Sequence, residues 1–126
     1  MTHNEAIVVL DLLVQPSVVA LGTDTPPAAP VVGQCWIVGA GPTGVWAGMP
    51  HRLAGWTDGG WRFVDPVEGM AAWVAGTNFL ARYVGGAWRP ATAIAAPSGG
   101  ATVDAEARAA IAAMLGMLRD QGLAIS

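Results

Sequence analysis

The sequence predicts an α+β fold that is mainly β, with a helix near each end and an antiparallel β-meander between them. Three patterns lead to this prediction. Apolar residues recur at helical spacing in the first fourteen residues and again over 103–121. Between them, short apolar runs alternate with glycine-rich turns. At 126 residues the chain has the size of one domain.

Residues 1–21 are predicted to form a helix followed by a short strand. Thr2 and Glu5 have the spacing of a capping box, and Pro16 ends the helix near Val14. The β-branched run 17–21 is typical of a strand. Residues 22–32 contain three prolines, which remove backbone donors, so this segment is predicted to be a linker.

The region 33–90 contains two copies of a 27-residue unit, 33–59 and 60–86, and the start of a third at 87–89. The aromatic positions coincide at this offset: Trp36 with Phe63, Trp46 with Trp73, Trp56 with Tyr83, and Trp61 with Trp88. Each unit is predicted to form three strands, at 35–38, 45–47 and 52–57 and then at 61–64, 72–74 and 79–84. Glycine-rich turns between such short strands predict a duplicated meander.

The C-terminal part is predicted as a linker, 91–101, and a helix within 102–126. One apolar seam of this helix contains Val103, Ala107, Ala110, Met114 and Met117, and a second contains Ile111, Leu115 and Leu118. A helix that is apolar on two flanks needs neighbours on both. Two arrangements satisfy this requirement: a three-chain bundle whose interface is formed by Ile111, Met114, Leu115, Met117 and Leu118, or packing of one flank on the β-domain of the same chain.

Composition narrows the classes of partner. Apolar residues make up 53% of the chain and charged residues 12%, the net charge is −3, and all six basic residues are arginine. The chain therefore lacks the basic stripe of a nucleic-acid-binding surface, and its apolar character favours a homo-oligomer. No apolar run reaches the length of a membrane span, and the N-terminus lacks the features of a signal peptide, which predicts synthesis in the cytoplasm.

The chain is poor in groups that could carry catalysis. Two histidines, nine acids and one cysteine show no metal-ligand or nucleophile spacing, so we expect no enzymatic activity, metal or cofactor. Cys35, within an apolar run, is expected to be buried. Gly39, Gly41 and Gly44 fit the spacing of a dinucleotide fingerprint, but the strand-like residues that follow leave no helix for a phosphate.

Tryptophan is the remaining candidate for binding, because its flat apolar face stacks on sugar rings while its N–H remains available. Trp56 and Trp61 flank the turn that contains Asp58, and these three residues are the candidate glycan site. The alternative is that most of the six tryptophans fill the core or a subunit contact. The 27-residue recurrence favours this framework role for most of them.

Several runs of the sequence resemble a domain of unknown function that is found in alphaproteobacterial prophages and gene transfer agents. These runs are Thr2-His3-Asn4-Glu5-Ala6 with Leu10-Asp11, Trp36-Ile37-Val38-Gly39, Thr43-Gly44-Val45-Trp46-Ala47-Gly48, Ala54-Gly55-Trp56, Asp58-Gly59-Gly60-Trp61, Glu68-Gly69, Ala72-Trp73-Val74 and Asp104-Ala105-Glu106-Ala107-Arg108. Members of that family typically carry a glutamine-rich segment upstream, without which this chain resembles a fragment or a shortened member.

The resemblance implies a non-enzymatic component of a phage-like particle. Members occur in tail-fibre and head-spike proteins, so the implied location is the particle surface. The implied partners are other particle proteins and cell-surface polysaccharide, and the expected homo-oligomer is a trimer. Two other functions stay open at this point: a soluble carbohydrate-binding module, and a small polysaccharide hydrolase.

Overall fold

The computed structural model describes residues 2–125 of the chain. Helix α1 spans His3–Val14 and helix α2 spans Ala105–Asp120. A 3₁₀ turn lies at Gly44–Trp46. The strands, in chain order, are β1 (Ser17–Val18), β2 (Leu21–Thr23), β3 (Cys35–Val38), β4 (Leu53–Thr57), β5 (Gly60–Val64), β6 (Ala71–Val74), β7 (Phe79–Val84), β8 (Ala87–Arg89), β9 (Thr92–Ala93) and β10 (Ala124–Ile125).

Helix α1 begins at the capping box that the sequence predicts. The Thr2 hydroxyl accepts a hydrogen bond from Glu5 N–H (3.3 Å), and the Glu5 carboxylate accepts one from Thr2 N–H (2.7 Å). These two bonds satisfy donors that an isolated helix leaves open. The helix ends at Val14, two residues before Pro16, where the restriction that proline places on the preceding residue takes effect.

The strands form two four-stranded sheets of matching topology. Sheet I has the order β2-β3-β4-β5 and sheet II the order β1-β6-β7-β8. In each, the first two strands are parallel and the remaining pairs are antiparallel. The predicted fold class, mainly β with α+β character, therefore holds. The purely antiparallel meander was wrong, because the edge strand of each sheet comes from the segment that follows α1.

One short segment, residues 17–23, supplies the parallel edge strand of both sheets. Its first part, together with the preceding Pro16, bonds to sheet II, from Trp73 N–H to the Pro16 carbonyl (2.8 Å) and from Ala75 N–H to the Val18 carbonyl (2.9 Å). Its second part bonds to sheet I, from Val19 N–H to the Cys35 carbonyl (2.8 Å) and from Ile37 N–H to the Ala20 carbonyl (3.0 Å). We call residues 17–23 the shared strand segment.

The 27-residue offset describes one hairpin of each sheet. Trp56 pairs with Trp61 in β4–β5, and Tyr83 pairs with Trp88 in β7–β8, so the two registers coincide when 27 is added to each residue number. The second strand of each sheet, β3 or β6, departs from this offset. Ile37 lies opposite Leu53 in sheet I, whereas Trp73 lies opposite Leu80 in sheet II. The structural equivalent of Trp73 is thus Ile37, and not Trp46 as the aromatic pattern suggested.

The predicted strand at 45–47 was wrong, because this stretch contains the 3₁₀ turn instead. The loop that precedes it is anchored on Asp24, whose carboxylate accepts from Gly41 N–H (3.0 Å) and whose carbonyl accepts from Thr43 N–H (2.8 Å). Gly44 then reverses the chain at a φ of +58°. Trp46 is fully buried, while the residues on either side of it are exposed. This burial does not depend on pairing with a strand of sheet I.

Two clusters of buried residues hold the sheets. The larger draws side chains from both sheets and from α1, and consists of Leu12, Val18, Cys35, Ile37, Leu53, Ala72, Val74, Ala81 and Trp88. The smaller lies on the opposite face of sheet I and consists of Trp36, Val38, Trp46 and Ala54, with Trp56, Trp61 and Phe63 packed against it. Trp88 also joins the sheets by donating from Nε1 to the His51 carbonyl (2.8 Å).

Helix α2 begins at Asp104, whose carboxylate accepts from Ala107 N–H (2.9 Å). Beyond its C-terminus, the Gly122 carbonyl accepts from Leu80 N–H (2.8 Å), which ties the end of the helix to sheet II, and β10 then pairs with β9. Leu115 is buried, and Ile111 and Leu118 are half-buried. Other parts of the same chain therefore cover the second predicted seam of α2, whereas Met114 and Met117 of the first seam are exposed.

Gly55→Ala is expected to destabilise the fold by about 1–3 kcal/mol, because a Cβ at residue 55 would occupy the space of the buried Leu12 side chain and displace α1. Gly116→Ala is the matched control. Residue 116 lies within α2 and has open space where a methyl group would lie, so this change should stabilise by about 0.5–1 kcal/mol. Urea unfolding of both variants measures the difference, and equal effects would contradict the packing of α1 on residue 55.

Candidate functional site

Four tryptophans form a contiguous cluster on the outer face of sheet I. Trp61 is its centre, with ring centroids 5.6 Å from Trp36, 5.0 Å from Trp46 and 5.0 Å from Trp56, all in edge-to-face geometry. Aromatic pairs prefer this geometry because the positive edge of one ring meets the negative face of the next. Trp36 and Trp46 are buried, whereas Trp56 and Trp61 are half-buried.

Trp46 is the framework residue of this cluster. Its side chain is fully buried, and among residues 2–125 its Nε1 has no hydrogen-bond partner. An unpaired buried donor costs about 1–3 kcal/mol. Burial of the large indole ring against Trp36 and Trp61 offsets that cost. Within this cluster the tryptophans that can meet a ligand are therefore Trp56 and Trp61, the two that the sequence selected.

Thr57 holds the turn between β4 and β5. Its hydroxyl donates to the Gly60 carbonyl (2.7 Å) and accepts from Gly59 N–H (3.2 Å). Asp58, at the next position, is a turn residue of a type that commonly bonds its own backbone. In the described part of the chain the Asp58 carboxylate instead makes no hydrogen bond or ion pair, and it is exposed at the tip of the hairpin.

A cavity of about 460 Å³ lies between α1 and this hairpin, and we call it the helix–hairpin cavity. Helix α1 contributes residues spaced along one face, the 31–33 turn contributes a short edge, and the hairpin forms the remaining wall. The lining residues are Asn4, Glu5, Val8, Asp11, Leu12, Val32, Gly33, Trp56, Thr57, Asp58, Gly59 and Arg62. The volume falls within the range of about 300–1,000 Å³ that is typical of small-molecule sites.

An ion pair links the two walls of the cavity. Arg62 Nη2 lies 3.4 Å from Glu5 Oε1, and Arg62 Nη1 donates to the carbonyls of Gly59 (3.2 Å) and Trp61 (3.1 Å). The hydrogen bonds from the Thr2 backbone and hydroxyl, together with the attraction of Arg62, hold the pKa of Glu5 below its ordinary value. The guanidinium lies over Gly59, where a side chain would collide with it.

The hairpin carries the aromatic surface on one face and borders the cavity with the other. Side chains alternate along a strand, so Trp56 projects from the face opposite the one that Gly55 and Thr57 turn towards α1. Trp56 and Trp61 meet on that opposite face, and Asp58 at the tip lines the cavity. Trp56 also forms part of the cavity lining, so it adjoins both surfaces, whereas Trp61 and Asp58 lie on different ones.

Sequence reasoning missed the residues that form the other wall. Asn4, Glu5 and Asp11 were placed in the first predicted helix, and Arg62 was given no role. Polar residues at positions 4 and 11, two helical turns apart, were the available signal for a helix face that is not fully packed. The contact between Glu5 and Arg62 joins residues 57 positions apart, and a single sequence carries no signal for it.

The glycine-rich loop 39–44 is closed by protein groups. The Asp24 carboxylate accepts from Gly41 N–H, the kind of donor that a phosphate would use, and a Cβ at residue 39 would collide with that carboxylate. Glycine at position 39 is therefore explained by the packing of Asp24. This geometry agrees with the rejection of a dinucleotide site.

Cys35 lies in the core between the sheets. Burial raises the pKa of its thiol to about 12, so the reactive thiolate is strongly disfavoured near neutral pH. Within residues 2–125, no three side chains of the histidine, cysteine and carboxylate types group in a way that could hold a metal ion. None of the helices in the same range is long and apolar enough to span a bilayer.

These features define a small, mainly β domain with two mixed sheets and an aromatic surface on one hairpin. A family model described as "Protein of unknown function (DUF2793)" matches residues 3–89. The chain belongs to this family. The match ends at the last residue of β8, so that helix α2 lies beyond it. A comparison with curated proteins found no match.

Proposed function

We propose that this domain is a non-enzymatic structural and adhesion component at the surface of a phage-like particle, in a tail fibre or head spike, and that it contacts cell-surface polysaccharide. The pair Trp56 and Trp61 is the main support for polysaccharide contact. Their rings are half-buried, 5.0 Å apart, and backed by buried tryptophans. The family has no described function, and the particle context rests on the sequence resemblance.

The packing of these two rings favours binding of a rigid, apolar sugar face. Trp61 contacts three other indoles, so its orientation is fixed before a ligand arrives. A site that is ordered in advance loses little conformational entropy on binding. The exposed part of each ring offers the apolar surface on which the C–H groups of a pyranose stack.

The electrostatics of Glu5, on α1 beside the hairpin, do not suit the acid that a glycosidase needs. A glycosidase needs a carboxylic acid whose pKa is raised, so that it carries a proton near neutral pH. Glu5, in the adjoining cavity, has its pKa shifted in the opposite direction. The runner-up function, a soluble carbohydrate-binding module, uses the same aromatic surface and differs from the main proposal only in particle assembly.

Helix α2 is the proposed site of trimer formation. Met114 and Met117 are 54% and 60% exposed, and Val103, just before the helix, is 57% exposed. A three-chain bundle of α2 would cover these side chains, while Leu115 stays packed in its own chain. Three copies would then present three hairpins, and weak sugar contacts would gain strength by multivalency.

We likewise propose that the matching hairpins of sheets I and II are copies of one duplicated unit.

Trp56→Ala is expected to weaken retention on capsular polysaccharide by about tenfold, because loss of a stacking surface costs about 1–2 kcal/mol. Affinity electrophoresis of the folded chain measures this change. The matched control is Tyr83→Ala, which removes the half-buried aromatic residue at the same position of the second hairpin, 5.5 Å from Trp88. Thermal unfolding checks that both variants fold. Unchanged retention of Trp56→Ala, or equal losses in both variants, would contradict the proposal.

The unmodified chain is expected to sediment as a trimer at micromolar concentration, and the double variant Met114→Glu, Met117→Glu is expected to sediment as a monomer. Carboxylates in the bundle interior would repel one another and lose hydration. Val67→Glu is the control, because Val67 is 63% exposed in the connection between β5 and β6. A monomeric unmodified chain would exclude trimer formation through this helix.

A further inference from the structure

The helix–hairpin cavity contains carboxylates whose hydrogen-bonding capacity is unused. Among residues 2–125, neither Asp11 nor Asp58 forms a hydrogen bond or an ion pair, and both side chains are exposed. Each ionised carboxylate can accept several hydrogen bonds. Asn4 adds an amide that both donates and accepts, and Val8 with the buried Leu12 supplies an apolar surface between the polar groups. A polyhydroxylated molecule with apolar C–H faces fits this combination.

The charge of the cavity limits which molecules can enter it. The lining contains three carboxylates, from Glu5, Asp11 and Asp58, and one guanidinium, from Arg62. Arg62 is already bonded to Glu5 and to two backbone carbonyls of the hairpin. Its charge is thus largely balanced within the protein, and the remaining field repels an anion.

The N-terminus of α1 does not offset this repulsion. A helix N-terminus attracts anions through its open N–H groups and its dipole. Here the capping box uses the N–H groups of Thr2 and Glu5, and the Glu5 carboxylate supplies the negative charge that the dipole favours. Acidic sugars, phosphates and sulfates therefore meet a lining whose net charge is negative.

We propose that the helix–hairpin cavity is a second subsite for polysaccharide, one that accepts a sugar unit without negative charge, either neutral or carrying an amine. This inference rests on the proposed function. Hydroxyl or ammonium groups donate to Asp11 and Asp58, Asn4 bonds to a further hydroxyl, and the sugar ring lies on Val8 and Leu12. Because Asp58 is at the tip of the hairpin that carries Trp56 and Trp61, one glycan chain can engage both faces of the hairpin.

The test is binding of the full chain to an array of bacterial oligosaccharides that contains neutral, amino-sugar and uronic or phosphorylated glycans. We expect the bound glycans to come from the neutral and amino-sugar groups. Asp11→Asn and Asn4→Ala, made separately, are expected to weaken binding to those glycans at least tenfold. Asp120→Asn makes the same charge change at the end of α2, outside the cavity, and is expected to leave binding within twofold.

The outcomes separate this inference from the function on which it rests. Binding that depends on Trp56 but is unchanged by Asp11→Asn and Asn4→Ala would retain polysaccharide contact and overturn the second subsite. Binding confined to uronic or phosphorylated glycans would also overturn it, because the cavity repels them. An array on which no glycan binds would overturn both proposals. Loss of binding in both cavity variants, with their thermal unfolding unchanged, supports the subsite.

Discussion

The shared strand segment, residues 17–23, is the constraint on which the rest of the fold depends. It bonds to β6 of sheet II with its first residues and to β3 of sheet I with its last, so neither sheet has an independent parallel edge strand. Val18, the second residue of the segment, has no exposed surface and belongs to the core cluster that draws on both sheets. Because the two sheets share this segment and a core, they are expected to unfold together.

The same segment positions the proposed binding surfaces. Only Gln15 and Pro16 separate α1 from β1, so the place of β1 in sheet II determines where α1 can lie. Helix α1 then packs Leu12 on Gly55 of β4, and its polar face becomes one wall of the helix–hairpin cavity. The hairpin that forms the other wall carries Trp56 and Trp61 on its opposite face. The short connection between α1 and β1 therefore determines where the helix packs, and the position of the helix determines where the cavity forms.

Local sequence signals predicted the elements that local physics determines. The Thr2–Glu5 capping box, the strand Cys35–Val38 and a helix within 102–126 are all observed, since each depends on residues close in sequence. The turn that buries Trp46 depends on Asp24, and the parallel pairing of residues 17–23 depends on strands that lie much later in the chain. Neither kind of contact can be read from a single sequence. The aromatic recurrence identified the matching hairpins and then misplaced Trp46, because it treated an inserted turn as a strand. For the site, the sequence selected Trp56, Trp61 and Asp58, but it could not place α1 beside them.

Native-state hydrogen exchange of Val18→Ala compared with Val19→Ala tests most directly whether one segment holds both sheets. The first change creates a cavity at a fully buried position of the shared strand segment, and the second alters a neighbouring residue that is 41% exposed. Val18→Ala is expected to lower the protection of amides in β3 and in β6 by the same amount, about 2–3 kcal/mol, whereas Val19→Ala should change either by less than about 0.5 kcal/mol. Loss of protection in sheet II alone, with sheet I unaffected, would contradict the claim that one segment holds both sheets together.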